Sequence, residues 1–168
     1  PSHVKLEVPK GKKARFVILN GCECEPYLTC DHRLMLERAD AVIAGLRMLM
    51  RQVGAERGYI GVERNKDDAA AALAAAALEG GDIDVVRLEV KFPQGAEKML
   101  IDAILHRELP SGKLPIDLEV VVNNVGTAAA LADLAATGKP MVERVVTVAG
   151  NAVRRPANLL IPVGTLVQ

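Results

Sequence analysis

Residues 14–21, ARFVILNG, and residues 31–54, DHRLMLERADAVIAGLRMLMRQVG, decide the fold class. The first is a short apolar run closed by Gly21, the pattern of a buried strand. In the second, Leu34, Ala41, Leu46, Leu49 and Val53 recur at helical spacing. Asp31 is placed to cap this helix and Gly54 to end it. The same alternation repeats along the chain. Residues 58–63 (GYIGVE) predict a strand, and 67–79 an alanine-rich helix stopped by Gly80-Gly81. Residues 83–90 predict a strand, 96–107 a helix, 117–122 a strand and 127–137 a helix, with turn-rich residues 110–115 between. Strand–helix alternation of this kind predicts an α/β layered domain with a mostly parallel sheet.

After Gly138 the texture changes. MVERVVTVAG and NLLIPVGTLV are β-rich and have no helix between them. The expected organisation is an α/β domain over 1–138 and the start of a small β-rich module over 139–168.

Composition excludes several functions. The chain has 168 residues with 21 Lys+Arg against 21 Asp+Glu, so it lacks the basic excess that neutralises phosphates in a nucleic-acid binder. Aromatic residues make up 2%, too few for a base-stacking platform. Half the residues are apolar, enough for a sizeable core, yet no apolar run reaches the ~18 residues of a membrane span. Three cysteines, an odd number, fit a reducing compartment better than a disulfide framework. The start at Pro1 suggests a piece of a longer protein.

Three polar loops fall at the carboxyl ends of expected strands, where parallel α/β sheets bind ligands. They are Asn20-Gly-Cys-Glu-Cys-Glu-Pro26, Phe92-Pro-Gln-Gly-Ala-Glu-Lys98 and Asn123-Asn-Val-Gly-Thr127. Glycine lets backbone approach a planar or phosphorylated ligand, and asparagine donates and accepts at once. The helix start after Asn124 offers free N–H groups to a phosphate. These features fit a nucleotide-like or flavin-like pocket, and each loop taken singly also fits ordinary turns and caps. Cys22, Cys24 and Cys30, with His32 or His3, have poor metal spacing, because zinc and iron–sulfur pairs commonly use a two-residue gap and four ligands. No metal site is expected. Glu23, Glu25 and Glu97 are either acid–base groups or solvated loop charge. His106 suits a helix end, and Lys66 and Lys139 read as surface charge.

The three loops also resemble a known family. Asn20–Asp31, NGCECEPYLTCD, resembles the N-G/A-x-E-x-E-P-x-x-x-x-D segment of the flavin subunit of NADH-oxidising electron-transfer complexes, and within them the C subunit of Rnf-type complexes. FPQGAEK (92–98), LPSGKLP (109–115) and NNVGTAA (123–129) continue the resemblance in order. Pro1–Leu6 resembles the tail of the family's glycine-rich loop. The resemblance implies a Rossmann-like domain of the kind that binds FMN in respiratory complex I. A β-grasp or SLBB-like module and a domain with 4Fe-4S clusters would follow it. It implies that Asn20, Cys22, Glu23, Cys24, Gly95, Asn123, Asn124 and Thr127 line FMN, and that Lys5, Glu25 and Glu97 face NAD(H). Complex I usually has Asp and Ser at the positions of Cys22 and Cys24, and Glu at that of Gly126, departures that favour the Rnf-like branch.

The implied activity passes electrons between NAD(H), FMN and iron–sulfur clusters in a ferredoxin:NAD oxidoreductase. The implied partners are ferredoxin and the membrane subunits of the complex, which would hold the chain at the cytoplasmic face of the bacterial inner membrane. A cobalamin reductase of the propanediol-utilisation type shares the flavin domain. A docking module that has lost its flavin is the alternative outside enzymes.

Overall fold

The computed structural model describes residues 2–166. Pro1, of the expected first loop, and Val167 and Gln168, of the expected last β segment, lie outside the described residues. A short helix α1 (Ser2–Leu6) stands where the tail of the glycine-rich loop is expected. Then follow β1 (Phe16–Asn20), α2 (Cys30–Glu37), α3 (Ala39–Val53), β2 (Arg57–Glu63), α4 (Asp67–Ala77), β3 (Ile83–Leu88), α5 (Glu97–Leu105), β4 (Val120–Asn124) and α6 (Val125–Thr137). The last elements are β5 (Glu143–Val148) and β6 (Ala157–Pro162).

Four strands form one sheet in the order β3-β2-β1-β4, with every pairing parallel, as the alternation predicts. Successive β1 side chains enter opposite layers. Val17 and Leu19 join Ile43, Leu46, Leu49 and Leu73 under α3 and α4, whereas Ile18 joins Leu100 and Ile101 of α5. β5 and β6 form a separate antiparallel pair.

Three expectations need correction. The predicted helix over 31–53 is two helices, jointed at Arg38 with φ −138° and ψ 36°. No Gly or Pro marks the joint. The Arg38 guanidinium instead reaches Asp133 of α6 with both terminal nitrogens, a tertiary contact invisible in local periodicity. Second, residues 115–118 form a 3-10 turn, so β4 starts at Val120 and carries Asn123 and Asn124 at its end instead of in a turn. Third, the helix expected over 96–107 closes at Leu105, because His106 takes the left-handed conformation that ends α5, with φ 53°.

α3 and α6 pack backbone against backbone. A Cβ built on Gly45 would lie 1.9 Å from the Ala128 carbonyl oxygen. Only glycine permits that approach, and the helix-propensity gain of about 1 kcal/mol from alanine cannot offset the overlap. Gly45→Ala is expected to lower stability by about 3 kcal/mol, read as a shift of the urea midpoint.

Candidate functional site

β1 lies between β2 and β4. The link from β1 to β2 passes through α2 and α3 on one face, and the link from β3 to β4 passes through α5 on the other. The strand order therefore reverses beside β1, and it is outside the carboxyl ends of the strands at such a point that parallel α/β sheets bind ligands. Their register sets Leu19 opposite Asn123 and Asn20 opposite Asn124.

Asn20 locks the first two loops together. Its Nδ2 donates to the Gly95 carbonyl at 2.8 Å, and its Oδ1 accepts from the Cys22 N–H at 3.0 Å. A Cβ on Gly95 would come within 3.2 Å of the Cys22 carbonyl and 3.3 Å of Asn20 Nδ2, so glycine leaves room for this close approach. At the same end of the sheet, Asn123 is 5% exposed and its Nδ2 has no partner among the described residues. Gln94, 1% exposed beside Gly95, also leaves its Nε2 unpartnered.

Asn124 is used differently. Its Oδ1 accepts from the Gly126 N–H at 2.8 Å, capping α6, and from Arg144 Nη2 at 3.1 Å. Its Nδ2 donates to Asp31 Oδ2 at 2.6 Å and approaches the Asn20 carbonyl at 3.5 Å. The first turn of α6 is thus partly satisfied by its own cap, and Thr127 follows in that turn, half-buried.

The charged residues of the first two loops are mostly built into the fold. Glu23 is buried, not solvated, and caps α2. Its carboxylate accepts from the Asp31 N–H at 2.7 Å, the His32 N–H at 3.0 Å and the Cys30 thiol at 3.4 Å. Asp31, the expected cap, instead faces Asn124, and burial pushes its carboxyl above the usual range. Lys66 is not surface charge. It is 5% exposed and donates to Glu63 Oε2 at 2.5 Å and to the Glu23 carbonyl at 3.5 Å. Glu63 Oε2 also accepts from the Glu23 N–H at 3.1 Å, so this ion pair grips the Glu23 residue at both its amide and its carbonyl. The Lys66 charge signal was misleading because its partner sits three residues back, where the end of β2 runs into a 3-10 turn.

The remaining candidates divide between two clefts. Lys5 Nζ donates to Glu97 Oε1 at 2.5 Å and to the Val122 carbonyl at 3.0 Å, at the mouth of a cleft of about 630 Å³ along β4. Glu25 and Cys24 line a second cleft of about 370 Å³, with His32, Lys66 and Phe92. Cys22 packs in the apolar layer under α5, and burial, then the Glu63 carboxylate, push its thiol up to about 12. All three cysteines are free thiols. Cys30 does gather with Glu23 and Asp31, but the Glu23 oxygens are engaged with the α2 N–H groups and an Asp31 oxygen with Asn124. Hydrogen bonding explains that group.

The family of the Nuo51 FMN-binding domain matches residues 1–133. The chain belongs to this family. It is 51% identical over 168 residues to the C subunit of the Na(+)-translocating ferredoxin:NAD(+) oxidoreductase complex of Acetobacterium woodii, spanning 100% of this chain and 38% of that one. It is 48% identical over 165 residues to the C subunit of the proton-translocating ferredoxin:NAD(+) oxidoreductase complex of Clostridium ljungdahlii, spanning 98% of this chain and 36% of the relative. The chain therefore spans little more than a third of these relatives. Their names agree with the Rnf-type resemblance of the loop motifs. The NAD+-reducing [NiFe]-hydrogenase, in its H2-reduced state, superposes with TM-score 0.84 at 20% identity, over 98% of this chain and 34% of that one, and so shares the fold.

The site of this family member yields two expectations. At about pH 8 an alkylating reagent needs thiolate, so buried Cys22 should stay unmodified in the folded protein and react once it is unfolded, as followed by mass spectrometry. Lys66→Met should cost about 3–5 kcal/mol by leaving the Glu63 carboxylate buried and unpaired, and adding Glu63→Gln should recover most of it. Denaturant unfolding of the single and double variants decides this.

Proposed function

We propose that this chain is the flavin module of an Rnf-type ferredoxin:NAD oxidoreductase subunit, with FMN held outside the carboxyl ends of β1 and β4. The observation that carries the reading is the unpartnered Nδ2 of buried Asn123, at the end of β4 next to the Asn124 that pairs with Asn20. Such a group costs about 1–3 kcal/mol when left unsatisfied. An acceptor on a flavin ring would satisfy it.

The residues present suit that group. Gly95 leaves its side of the site open, Cys22 supplies a neutral thiol, and Asn20 fixes the backbone between them. Glu23 and Asn124 serve the site through the backbone they hold, by capping α2 and α6. Cys24 and Thr127 complete the flavin surroundings. Lys5, held by Glu97, and Glu25 stand ready for the nicotinamide nucleotide, with Lys5 available to its phosphates and the carboxylates to its hydroxyl groups. When bound, FMN supplies exchange between hydride transfer from NAD(H) and single-electron transfer to iron–sulfur clusters. The protein supplies position and electrostatics.

In this reading residues 1–138 are the flavin domain, and the β5–β6 hairpin opens a β-rich SLBB-like module. The exposed Val148, Leu159 and Leu160 of the hairpin support a continuation, since a two-stranded sheet is marginal alone. The 4Fe-4S clusters belong to the longer protein, and ferredoxin and the membrane subunits of the complex are the partners. In this reading those subunits hold the chain at the cytoplasmic face; among the described residues no helix is long and apolar enough to cross a membrane.

Asn123→Ala is expected to weaken FMN binding about tenfold in the full-length protein, as measured by flavin fluorescence quenching. Anaerobic NADH should bleach the bound flavin. An unchanged dissociation constant would remove Asn123 from the site.

A further inference from the structure

We propose that Arg144, carried on β5, is a positioning residue of the flavin site that acts through Asn124. The proposal rests on the flavin reading above and adds the hairpin to it.

An asparagine amide has two ends of nearly equal shape, so its neighbours decide which end faces which way. Both neighbours of Asn124 Oδ1, the Gly126 N–H and Arg144 Nη2, can only donate. Both neighbours of its Nδ2, Asp31 Oδ2 and the Asn20 carbonyl, can only accept. Arg144 is the charged donor in this set, and a charged hydrogen bond is roughly twice as strong as a neutral one. Together with the charged Asp31 acceptor on Nδ2, it sets the amide of Asn124, and with it the peptide that joins Asn123 to the first turn of α6. Asn123 carries the unpartnered Nδ2, so the aim of that donor follows the hold on its neighbour.

A second grip keeps the hairpin seated. The Thr29 N–H donates to Thr147 Oγ1 at 3.1 Å, and Asn158 Nδ2 donates to Thr29 Oγ1 at 3.0 Å. The Thr147 hydroxyl closes the set on Asn158 Oδ1 at 2.8 Å. Thr29 immediately precedes α2, whose amino end Glu23 caps. Beside the Arg144 grip lies a cleft of about 260 Å³, walled by Asp31, Gly126 and Arg144. β5 and β6 thus touch the residues that open α2 and α6, two of the helices that start at the flavin end of the sheet. A disturbance of the hairpin reaches the flavin site by hydrogen bonds.

The test uses the full-length protein with Arg144→Met and Arg144→Lys. Four quantities are read: FMN affinity, flavin midpoint potential, melting temperature without flavin, and the side-chain amide signals of Asn124 in flavin-free, asparagine-labelled protein. Arg144→Met should weaken FMN about tenfold, move the potential and shift the Asn124 signals. The melting temperature should stay near that of the parent, because the Gly126 cap remains. Arg144→Lys should regain part of the affinity, since its ammonium also donates. Unchanged affinity and potential in Arg144→Met overturn the proposal, whatever the melting temperature does. If the parent binds no FMN, the flavin reading fails. The flavin-free Asn124 signals then decide the hold by Arg144 on their own, and unshifted signals overturn it.

Discussion

The pairing of β1 with β4 is the constraint on which the site depends. A register that sets Asn20 opposite Asn124 puts two asparagine-bearing strand ends side by side. A slip of one residue would turn each β4 side chain to the other layer. Three successive valines fill both layers, Val121 under α3 and α6 and Val120 and Val122 under α5, so a slip would draw flanking Glu119 or Asn123 into an apolar position. Apolar packing thereby places polar groups that make no apolar contribution of their own.

Charge is handled by a similar division of labour. The net charge is zero, yet the informative charges are the few that are buried. Glu23, Glu63 and Lys66 form one connected group at the ends of β1 and β2, in which each backbone polar atom of residue 23 meets a side chain of opposite character. A loop that must approach a ligand closely cannot also rely on a strand or helix for its hydrogen bonds. Here side chains from the next strand end take over that task.

The layered α/β fold was legible because period and punctuation agree along most of the chain. The three loops were legible because glycine, asparagine and carboxylates cluster where parallel sheets bind ligands. What escaped depends on tertiary partners. The joint at Arg38 is held by Asp133, far along the chain, and no local signal marks it. Lys66 looked solvated because lysine almost always is, and only the fold brings the Glu23 carbonyl to it. Asn123 and Asn124 look equivalent as a pair of letters, and their neighbours make one a cap and leave the other with a free donor. Arg144 carried no signal, since its partner belongs to an element from a different texture of sequence.

The Gly45 notch has a mechanical meaning. Where two helices meet through side chains, rotamer changes let one slide against the other. Backbone resting on backbone leaves no such compliant layer. α6 is therefore tied to α3 as a single stiff strut, with the capped amino end at the carboxyl end of β4 and its other end leading into the hairpin. A push at one end of that strut would arrive at the other as displacement instead of being absorbed along the way.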